Sequence, residues 1–297
     1  MNRRHFLKSA GFLGLVGSSL YLKCNQPQKP PNVLFIAVDD LRPELAAYGV
    51  SRIHSPNIDR LAAVGVQFNR AFCNIPVCGA SRASLLTGTR PTWERYTTYY
   101  TRVDVENPDD PTLPEYFRSN GYTTISNGKI FHHRGDGAGS WDEEWHPESN
   151  NNSWRDYYLP ENKALEDAKD SSGPAFERVD VPDSAYKDGK TTLKTIEDLK
   201  RLEKNGKPFF LACGFLKPHL PFNAPSKYWE LYDPDEIPRA EYTENPKTLR
   251  IRPCTIPANC VLITAFRRPD RFRKTWRKRS NTAIMPASAM WMRKSEN

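Results

Sequence analysis

The sequence predicts an α/β fold with a mainly parallel central sheet flanked by helices, and three stretches carry that prediction. Val33–Val38 is an unbroken apolar run, typical of a strand buried on both faces of a sheet. Thr191–Lys204 has the period of an amphipathic helix, and the apolar strand Pro208–Cys213 follows it. Strands alternating with helices favour a parallel sheet, and 297 residues are enough for one large α/β domain or two modest ones.

The elements between these stretches follow from turn and capping residues. Helices are expected in the ranges Ser55–Gly65 and Thr112–Gly121, since each range begins with a capping residue and a first-turn proline and closes at a glycine. Tyr122–Ser126 is expected to be a strand. Asp136–Asp183 is polar and rich in Asn, Ser and Pro, so we expect a long surface excursion there.

Residues 1–31 are expected to be an export signal and linker. Arg3 and Arg4 precede a short, Gly-rich apolar run, a pattern that resembles a twin-arginine signal and is too short to span a bilayer comfortably. An ordinary signal peptide or a membrane anchor is the alternative. Cys24 stands where a lipoprotein cysteine would, although Lys23 fits that position poorly. We therefore expect an exported, periplasmic or extracellular protein that uses export machinery and has no stable membrane span.

The positive charge belongs to one end of the chain. The net charge is +8, but the residues from Arg250 onward hold twelve Lys and Arg against two acidic residues, so the rest carries −2. A nearly neutral body argues against nucleic acid as a partner. The six cysteines show no CxxC pair, so neither a zinc site nor a disulfide framework is indicated.

Two adjacent carboxylates, Asp39 and Asp40, directly follow the first predicted strand. Sites in open α/β sheets gather at the carboxyl ends of strands, and adjacent carboxylates favour a hard cation such as Ca²⁺ or Mg²⁺. The pair alone is also compatible with a solvated turn.

Cys78 begins a more specific motif, Cys-Gly-Ala-Ser-Arg, which continues to Arg90. A lone cysteine before a helix is usually a buried structural residue. This string, however, resembles the signature of type I, formylglycine-dependent sulfatases. In that family the cysteine becomes formylglycine; one hydroxyl of its hydrate attacks sulfur, and the other later expels sulfate. A helix N-terminus favours developing negative charge, and Arg82 adds a cation that can bind the hydrate or sulfate oxygens.

Two later segments also resemble family elements. Lys129 and His132 match a Gly-Lys-x-x-His element whose lysine and histidine bind sulfate oxygens, with His133 as the next candidate. His219 closes a Lys-Pro-His element after the strand at Phe209, and its family counterpart also reaches the sulfate. On its own, a histidine at such a position is usually structural.

The resemblance covers Asn32 to about Glu236 and is strongest to iduronate-2-sulfatase-like enzymes. It implies an alkaline phosphatase-like sandwich, one Ca²⁺ ion held by Asp39, Asp40 and residue 78, and hydrolysis of a sulfate ester of a sugar or uronate. It also implies a formylglycine-generating maturation enzyme as a partner. The alternatives are a phosphodiesterase or phosphonate hydrolase of the same superfamily, and a truncated remnant without turnover.

The chain departs from the family after residue 248. We divide it into the signal and linker (1–31), a partial catalytic domain (32–248) and a basic tail (249–297). The family's second metal pair, Asp-His or Asp-Asn, occurs nowhere in the sequence. The tail is interpreted either as a disordered basic extension or as the product of a frameshift, and its loss of site residues would weaken calcium binding and activity.

Overall fold

The computed structural model describes residues 30–150, 153–168 and 173–238. The export signal, Cys24 and the basic tail lie outside the described residues. None of the helices in the described ranges is long and apolar enough to cross a membrane.

Four parallel strands form the main sheet. They are β1 (Val33–Val38), β2 (Thr123–Gly128), β3 (Glu143–Trp145) and β5 (Phe209–Phe215), in the order β1-β5-β2-β3. Two further strands, β4 (Phe176–Val179) and β6 (Phe222–Pro225), form a separate parallel pair. The described helices are α1 (Pro56–Val64), α2 (Cys78–Thr87), α3 (Val103–Glu106), α4 (Leu113–Ser119), α5 (Pro160–Asp167), α6 (Lys187–Asn205) and α7 (Ser226–Trp229), with 3-10 turns at Ala46–Tyr48, Ala138–Ser140 and Asp183–Ala185.

Helices cover both faces of β5, every residue of which is buried. Phe210 and Ala212 pack on one face in a cluster with α2, while Leu211 packs on the other with Leu202 of α6. This alternation is what a central strand between two helical layers requires. The α/β prediction with a mainly parallel sheet is confirmed.

The predicted helices occur with small changes at their ends. The range Thr112–Gly121 contains α4, which begins with a reciprocal capping box between Thr112 and Glu115. Ser55 precedes α1 as expected but caps no backbone N–H of that helix. Its hydroxyl instead donates to the Asp59 side chain, at 3.0 Å.

Two sequence predictions about burial were wrong. β1 was expected to be buried on both faces, but it lies at one edge of the described sheet, and Leu34 and Ile36 remain 45% and 46% exposed. Helix α6 covers β2 and β5 but not this face of β1. The stretch Asp136–Asp183 is more than a surface excursion, because it adds β3 to the sheet and buries aromatic side chains such as Tyr157.

Candidate active site

Three candidate residues come after strands of the main sheet and lie at the same end of that sheet. Asp39 follows β1, Lys129 follows β2, and His219 lies in the loop after β5. Because the three strands are adjacent and parallel, their carboxyl ends meet at one side of the sheet. The topology therefore brings together residues that are far apart in sequence.

Two glycines allow the ends of β2 and β5 to approach closely. A Cβ at Gly214 would lie 2.0 Å from the Lys129 carbonyl oxygen, and one at Gly128 would lie 2.3 Å from the Gly214 carbonyl oxygen. Gly128 also has a φ of +79°, a backbone conformation that residues with a side chain rarely adopt. The Lys129 N–H donates to the Gly214 carbonyl at 3.0 Å. Glycine at both positions therefore determines where the Lys129 backbone lies at the end of β2.

Asp39 is the central acidic group at this end of the sheet, and only 3% of its surface is exposed. Its Oδ1 accepts from Arg82 Nη2 at 3.2 Å, and its Oδ2 pairs with Lys129 Nζ. Burial by itself raises the pKa of Asp39, but Lys129 and Arg82 outweigh this effect and lower the pKa to about 2. The carboxylate is therefore ionised at neutral pH.

Arg82 lies one helical turn after Cys78 on α2 and is buried. Besides its contact with Asp39, its Nη1 donates to the carbonyl oxygens of Lys129 and Ile130, at 2.6 and 2.7 Å. The guanidinium therefore joins α2 to the end of β2 and fixes Asp39. The structure brings Arg82 to the site in this bridging position.

Cys78 is the first residue of α2, a half-buried free thiol beside these charges. Burial raises the pKa of the thiol; Lys129 partly offsets this effect, whereas Asp39 adds to it. The thiol is therefore protonated at neutral pH and is a poor nucleophile as it stands. The adjacent Gly79 brings the helix start against the backbone of Tyr99, since a Cβ there would lie 2.5 Å from the Tyr99 carbonyl oxygen.

His132 lies three residues after Lys129. Burial, with Lys129 as the next contribution, lowers the pKa of His132 to about 4, so its imidazole is neutral at pH 7. Its buried Nδ1 has no hydrogen-bond partner among the described residues. The neighbouring His133 is directed elsewhere, since its Nε2 donates to the Tyr99 carbonyl at 3.0 Å.

His219 approaches the acidic pair from the loop after β5. Its Nε2 lies 3.8 Å from Asp40 Oδ2, and its Nδ1 lies 2.6 Å from the Leu220 carbonyl oxygen. Burial and Lys129 lower the pKa of His219. Trp154 meets the imidazole edge-on at 5.2 Å between ring centroids and is 45% exposed.

The described residues fit a calcium ion in part. Asp39 and Asp40 offer hard oxygen ligands, and Asp40 is 57% exposed and so open to a cation. Both oxygens of Asp39, however, already pair with Arg82 and Lys129. Within the described ranges, no group of three or more His, Cys, Asp or Glu side chains could hold a metal ion. Since calcium takes about six to eight oxygen ligands, the described residues do not complete a site.

Two residues that contact His219 or its loop were not predicted from the sequence. Trp154 lies in the polar stretch interpreted as surface, and no local pattern there indicates a contact with His219. Asp188 accepts hydrogen bonds from the backbone of the His219 loop. The available signal for Asp188 was an acidic residue in the first turn of the helix that precedes β5.

Comparison with known proteins gives a family match over most of the chain. The family model described as Sulfatase matches residues 31–250. Human iduronate 2-sulfatase is 36% identical over 260 residues, which cover 80% of this chain and 45% of that protein. A sulfatase of Formosa agariphila is 35% identical and is matched over 71% of this chain and 44% of its own length. The chain thus spans a little under half the length of these curated relatives.

Solved structures share the fold. A phosphonate monoester hydrolase from Silicibacter pomeroyi superposes with a TM-score of 0.55 at 20% identity, over 89% of this chain and 57% of its own. A protein solved with its substrate D-glucosamine-2-N,6-O-disulfate gives a TM-score of 0.54 at 24% identity, over 72% and 40% of the two chains. At these identities the likeness concerns the fold alone.

Proposed function

The chain belongs to the sulfatase family and has the alkaline phosphatase-like α/β fold, and we propose that it hydrolyses a sulfate ester through a nucleophile derived from Cys78. The observation that carries the proposal is the position of Cys78, at the start of α2 and within the electrostatic influence of Lys129 and Asp39. A helix N-terminus beside a lysine suits an anionic sulfate group.

The nucleophile is proposed to be formylglycine, made from Cys78 by a maturation enzyme. Conversion answers a chemical difficulty, because burial raises the pKa of the Cys78 thiol. If formed at position 78, the hydrated aldehyde would supply a hydroxyl nucleophile for the ester sulfur and a second hydroxyl through which sulfate could be released. The other residues then have to bind, orient and supply protons.

Lys129 and Arg82 are proposed to stabilise the anionic sulfate group in different ways. Lys129 is a flexible point charge, so its ammonium can bind a sulfate oxygen while remaining near Asp39. Arg82 already donates to two carbonyl oxygens and to Asp39. Its role is therefore to keep the carboxylate and the Lys129 backbone in place while adding positive potential.

His132 and His219 are proposed to contact the sulfate group or the ester oxygen. The low pKa of His132 keeps the imidazole neutral at pH 7, and a neutral imidazole offers one N–H donor and one acceptor nitrogen. His219 is directed by its Nδ1 contact with the Leu220 carbonyl, which leaves Nε2 facing Asp40 and the site. A neutral His132 can therefore donate one N–H to the anion, whereas Nε2 of a neutral His219 carries no proton and would accept a hydrogen bond.

Calcium is proposed to bind at Asp39 and Asp40 together with an oxygen of the modified residue 78. When bound, the ion would offset the charge of the two carboxylates and polarise the sulfate group. The donor set of the described residues is incomplete, so we propose weak binding by this chain.

Sulfated carbohydrates are the proposed substrate class. The relatives include iduronate 2-sulfatase and an N-acetylglucosamine-6-O-sulfatase of Bacteroides thetaiotaomicron. A half-exposed Trp154 beside His219 suits a sugar ring, because aromatic side chains offer apolar faces for contact. The natural ester is taken to be a sulfated uronate or another sulfated sugar.

The test of this proposal starts with the modification itself. The full chain, produced together with an active maturation enzyme, should show loss of sulfur and gain of an aldehyde at Cys78 in peptide mass spectrometry. Turnover of an aryl sulfate should then be lost in Cys78→Ala. Cys73→Ser is the matched control, because Cys73 is also a free thiol but is exposed and is not part of the motif. An unmodified Cys78, or equal turnover in Cys78→Ala, would contradict the proposal.

A second candidate is hydrolysis of phosphonate or phosphodiester substrates. It is favoured by the likeness to phosphonate monoester hydrolases, and the same cationic donors would bind a phosphonate oxygen. Parallel assays with an aryl sulfate and a phenyl phosphonate monoester distinguish the two. Faster turnover of the phosphonate by the matured protein would favour this second function, and absence of both activities would favour a remnant without turnover.

Export by the twin-arginine route is proposed from Arg3 and Arg4. This route carries folded proteins, which suits maturation of Cys78 before export. Replacement of both arginines by lysine should retain the protein inside the cell. Unchanged export would indicate an ordinary secretory signal instead.

A further inference from the structure

A buried carboxylate holds the start of the loop that carries His219. Asp188, in the first turn of α6, is 3% exposed. Its Oδ1 accepts from the Leu216 N–H and its Oδ2 from the Lys217 N–H, both at 2.8 Å. Both oxygens of one carboxylate therefore bind consecutive amides at the point where β5 ends.

A buried ammonium holds the far end of the same loop. Lys217 is 6% exposed, and its Nζ donates to the carbonyl oxygens of His219, at 3.1 Å, and Pro221. Burial of a lysine is costly unless acceptors replace water. The ammonium therefore folds back onto its own loop and does not face the sulfate site.

The loop in turn determines the direction of the His219 ring. The His219 N–H donates to the Leu216 carbonyl at 2.9 Å. The ring Nδ1 lies 2.6 Å from the Leu220 carbonyl oxygen. A carbonyl can only accept, so this contact requires a proton on Nδ1 and leaves Nε2 of the neutral ring without one.

We propose that Asp188 and Lys217 are positioning residues that fix the orientation and tautomer of His219 by holding the two ends of the Leu216–Pro221 loop. Neither side chain has to touch the substrate. The proposal deepens the sulfatase function proposed above, since His219 matters for turnover only if that function holds.

The electrostatics of the buried pair agree with this arrangement. Burial raises the pKa of Asp188 to about 6 and lowers that of Lys217 to about 8, while each charge favours the other. Asp156 and Lys187 add a further acidic and basic group to the same network. At neutral pH the carboxylate and the ammonium are therefore predominantly charged and offset one another.

The test reads the His219 ring directly and needs no substrate. Long-range ¹H–¹⁵N spectra of the full chain at neutral pH should show His219 as the Nδ1–H tautomer. Asp188→Asn, which converts one acceptor oxygen into a donor, and Lys217→Met, which removes the ammonium, should each shift the ring towards the Nε2–H form. His219→Gln assigns the signal.

The matched control is Asp198→Asn, on the same helix. Asp198 is equally buried, but its carboxylate accepts from Asn127, Lys194 and Arg201. The Asp198→Asn variant should have a lower unfolding temperature but an unchanged His219 tautomer. Three outcomes would overturn the proposal: wild-type ring signals in folded Asp188→Asn or Lys217→Met, an equal shift in Asp198→Asn, or loss of folding in both test variants. Each of them would indicate that Asp188 and Lys217 have only a general structural role.

An activity assay forms a separate arm. If the matured protein hydrolyses aryl sulfate, Asp188→Asn should lower kcat by about 10- to 100-fold, the effect expected when a catalytic group is misplaced by about 1 Å. Asp198→Asn should leave kcat within about threefold of the wild type, well below that effect. If the wild-type protein has no turnover, the proposed function fails, while the spectra still decide the roles of Asp188 and Lys217.

Discussion

At the scale of single residues, the candidate site is an arrangement of charges around one buried carboxylate. Asp39 is enclosed by Arg82 and Lys129, and the three side chains carry a net positive charge. The two cations beside Cys78 suit the anionic sulfate group of the proposed substrate, while Asp40 offsets the remaining positive charge. The same cations stabilise the ionised Asp39, so the charges have a structural consequence as well as a chemical one.

Lys129→Met is expected to destabilise the protein in a pH-dependent way. The pKa of Asp39 is lowered from 3.8 to about 2, so its ionised form stabilises the fold above pH 3.8, and this stability is lost as the pH falls towards 2. Removing Lys129 should reduce the free energy of unfolding by about 1–2 kcal/mol at pH 7, and by less near pH 3. Urea unfolding across this pH range measures the change.

Lys227→Met is the control for this prediction. Lys227 also pairs with an aspartate, at 3.0 Å from Asp183, but its side chain is 58% exposed. Exposed pairs contribute about 0–1 kcal/mol, so the control should change the unfolding free energy little. A loss in Lys129→Met that is the same at pH 7 and pH 3 would show that Asp39 is not the group involved.

Calcium affinity is expected to be weak, with a Kd above about 10⁻⁴ M, because two carboxylates are few ligands and one of them is already paired with cations. Isothermal titration calorimetry on the full chain measures this affinity. Asp40→Asn should abolish the residual binding, whereas Asp233→Asn, at an exposed loop position, should leave it unchanged. Micromolar binding that depends on Asp40 would prove the prediction wrong and indicate ligands beyond the described residues.

The sequence predicted which of these residues lie close together better than it predicted the contacts between them. Cys78, Lys129 and His219 could be named because each belongs to a motif with defined spacing. The three contacts of the Arg82 guanidinium could not, because they depend on where α2 packs against the end of β2. Trp154 is similar, since it reaches His219 only through the tertiary fold.

At the scale of secondary-structure elements, the contact between β2 and β5 sets the geometry of the site. Gly214→Ala should reduce the free energy of unfolding by about 1–3 kcal/mol, because the new Cβ would overlap the Lys129 carbonyl at 2.0 Å. Gly139→Ala is the matched control, since nothing lies within 4 Å of a Cβ there. Thermal and urea unfolding compare the two variants. Equal stabilities would show that β2 separates from β5 without cost.

The same scale explains which elements the sequence predicted. β1 and β5 are continuous apolar runs and α6 has helical periodicity, and their types were correct. The exposure of Leu34 and Ile36 could not be predicted, because an apolar run does not reveal whether a strand is central or at an edge. β3 was missed because its three residues, Glu143–Trp145, include two glutamates and join the sheet only through pairing with β2.

At the scale of the whole molecule, the sheet is covered unevenly. Val33, Phe35 and Ala37 of β1 pack towards the cluster beneath α2, whereas Leu34 and Ile36 alternate to the other face. β1 also pairs on one side alone within the described part of the chain. An exposed strand edge beside half-exposed apolar side chains favours association between molecules.

Self-association through β1 is therefore expected to rise with protein concentration. The double variant Leu34→Thr, Ile36→Thr should reduce it, because threonine keeps a high strand propensity while removing apolar surface. Sedimentation velocity over a concentration series measures the change. Leu165→Thr is the matched control, because Leu165 is 44% exposed but lies on helix α5. A wild-type chain that stays monomeric throughout, or an equal reduction in Leu165→Thr, would mean that the β1 edge does not drive association.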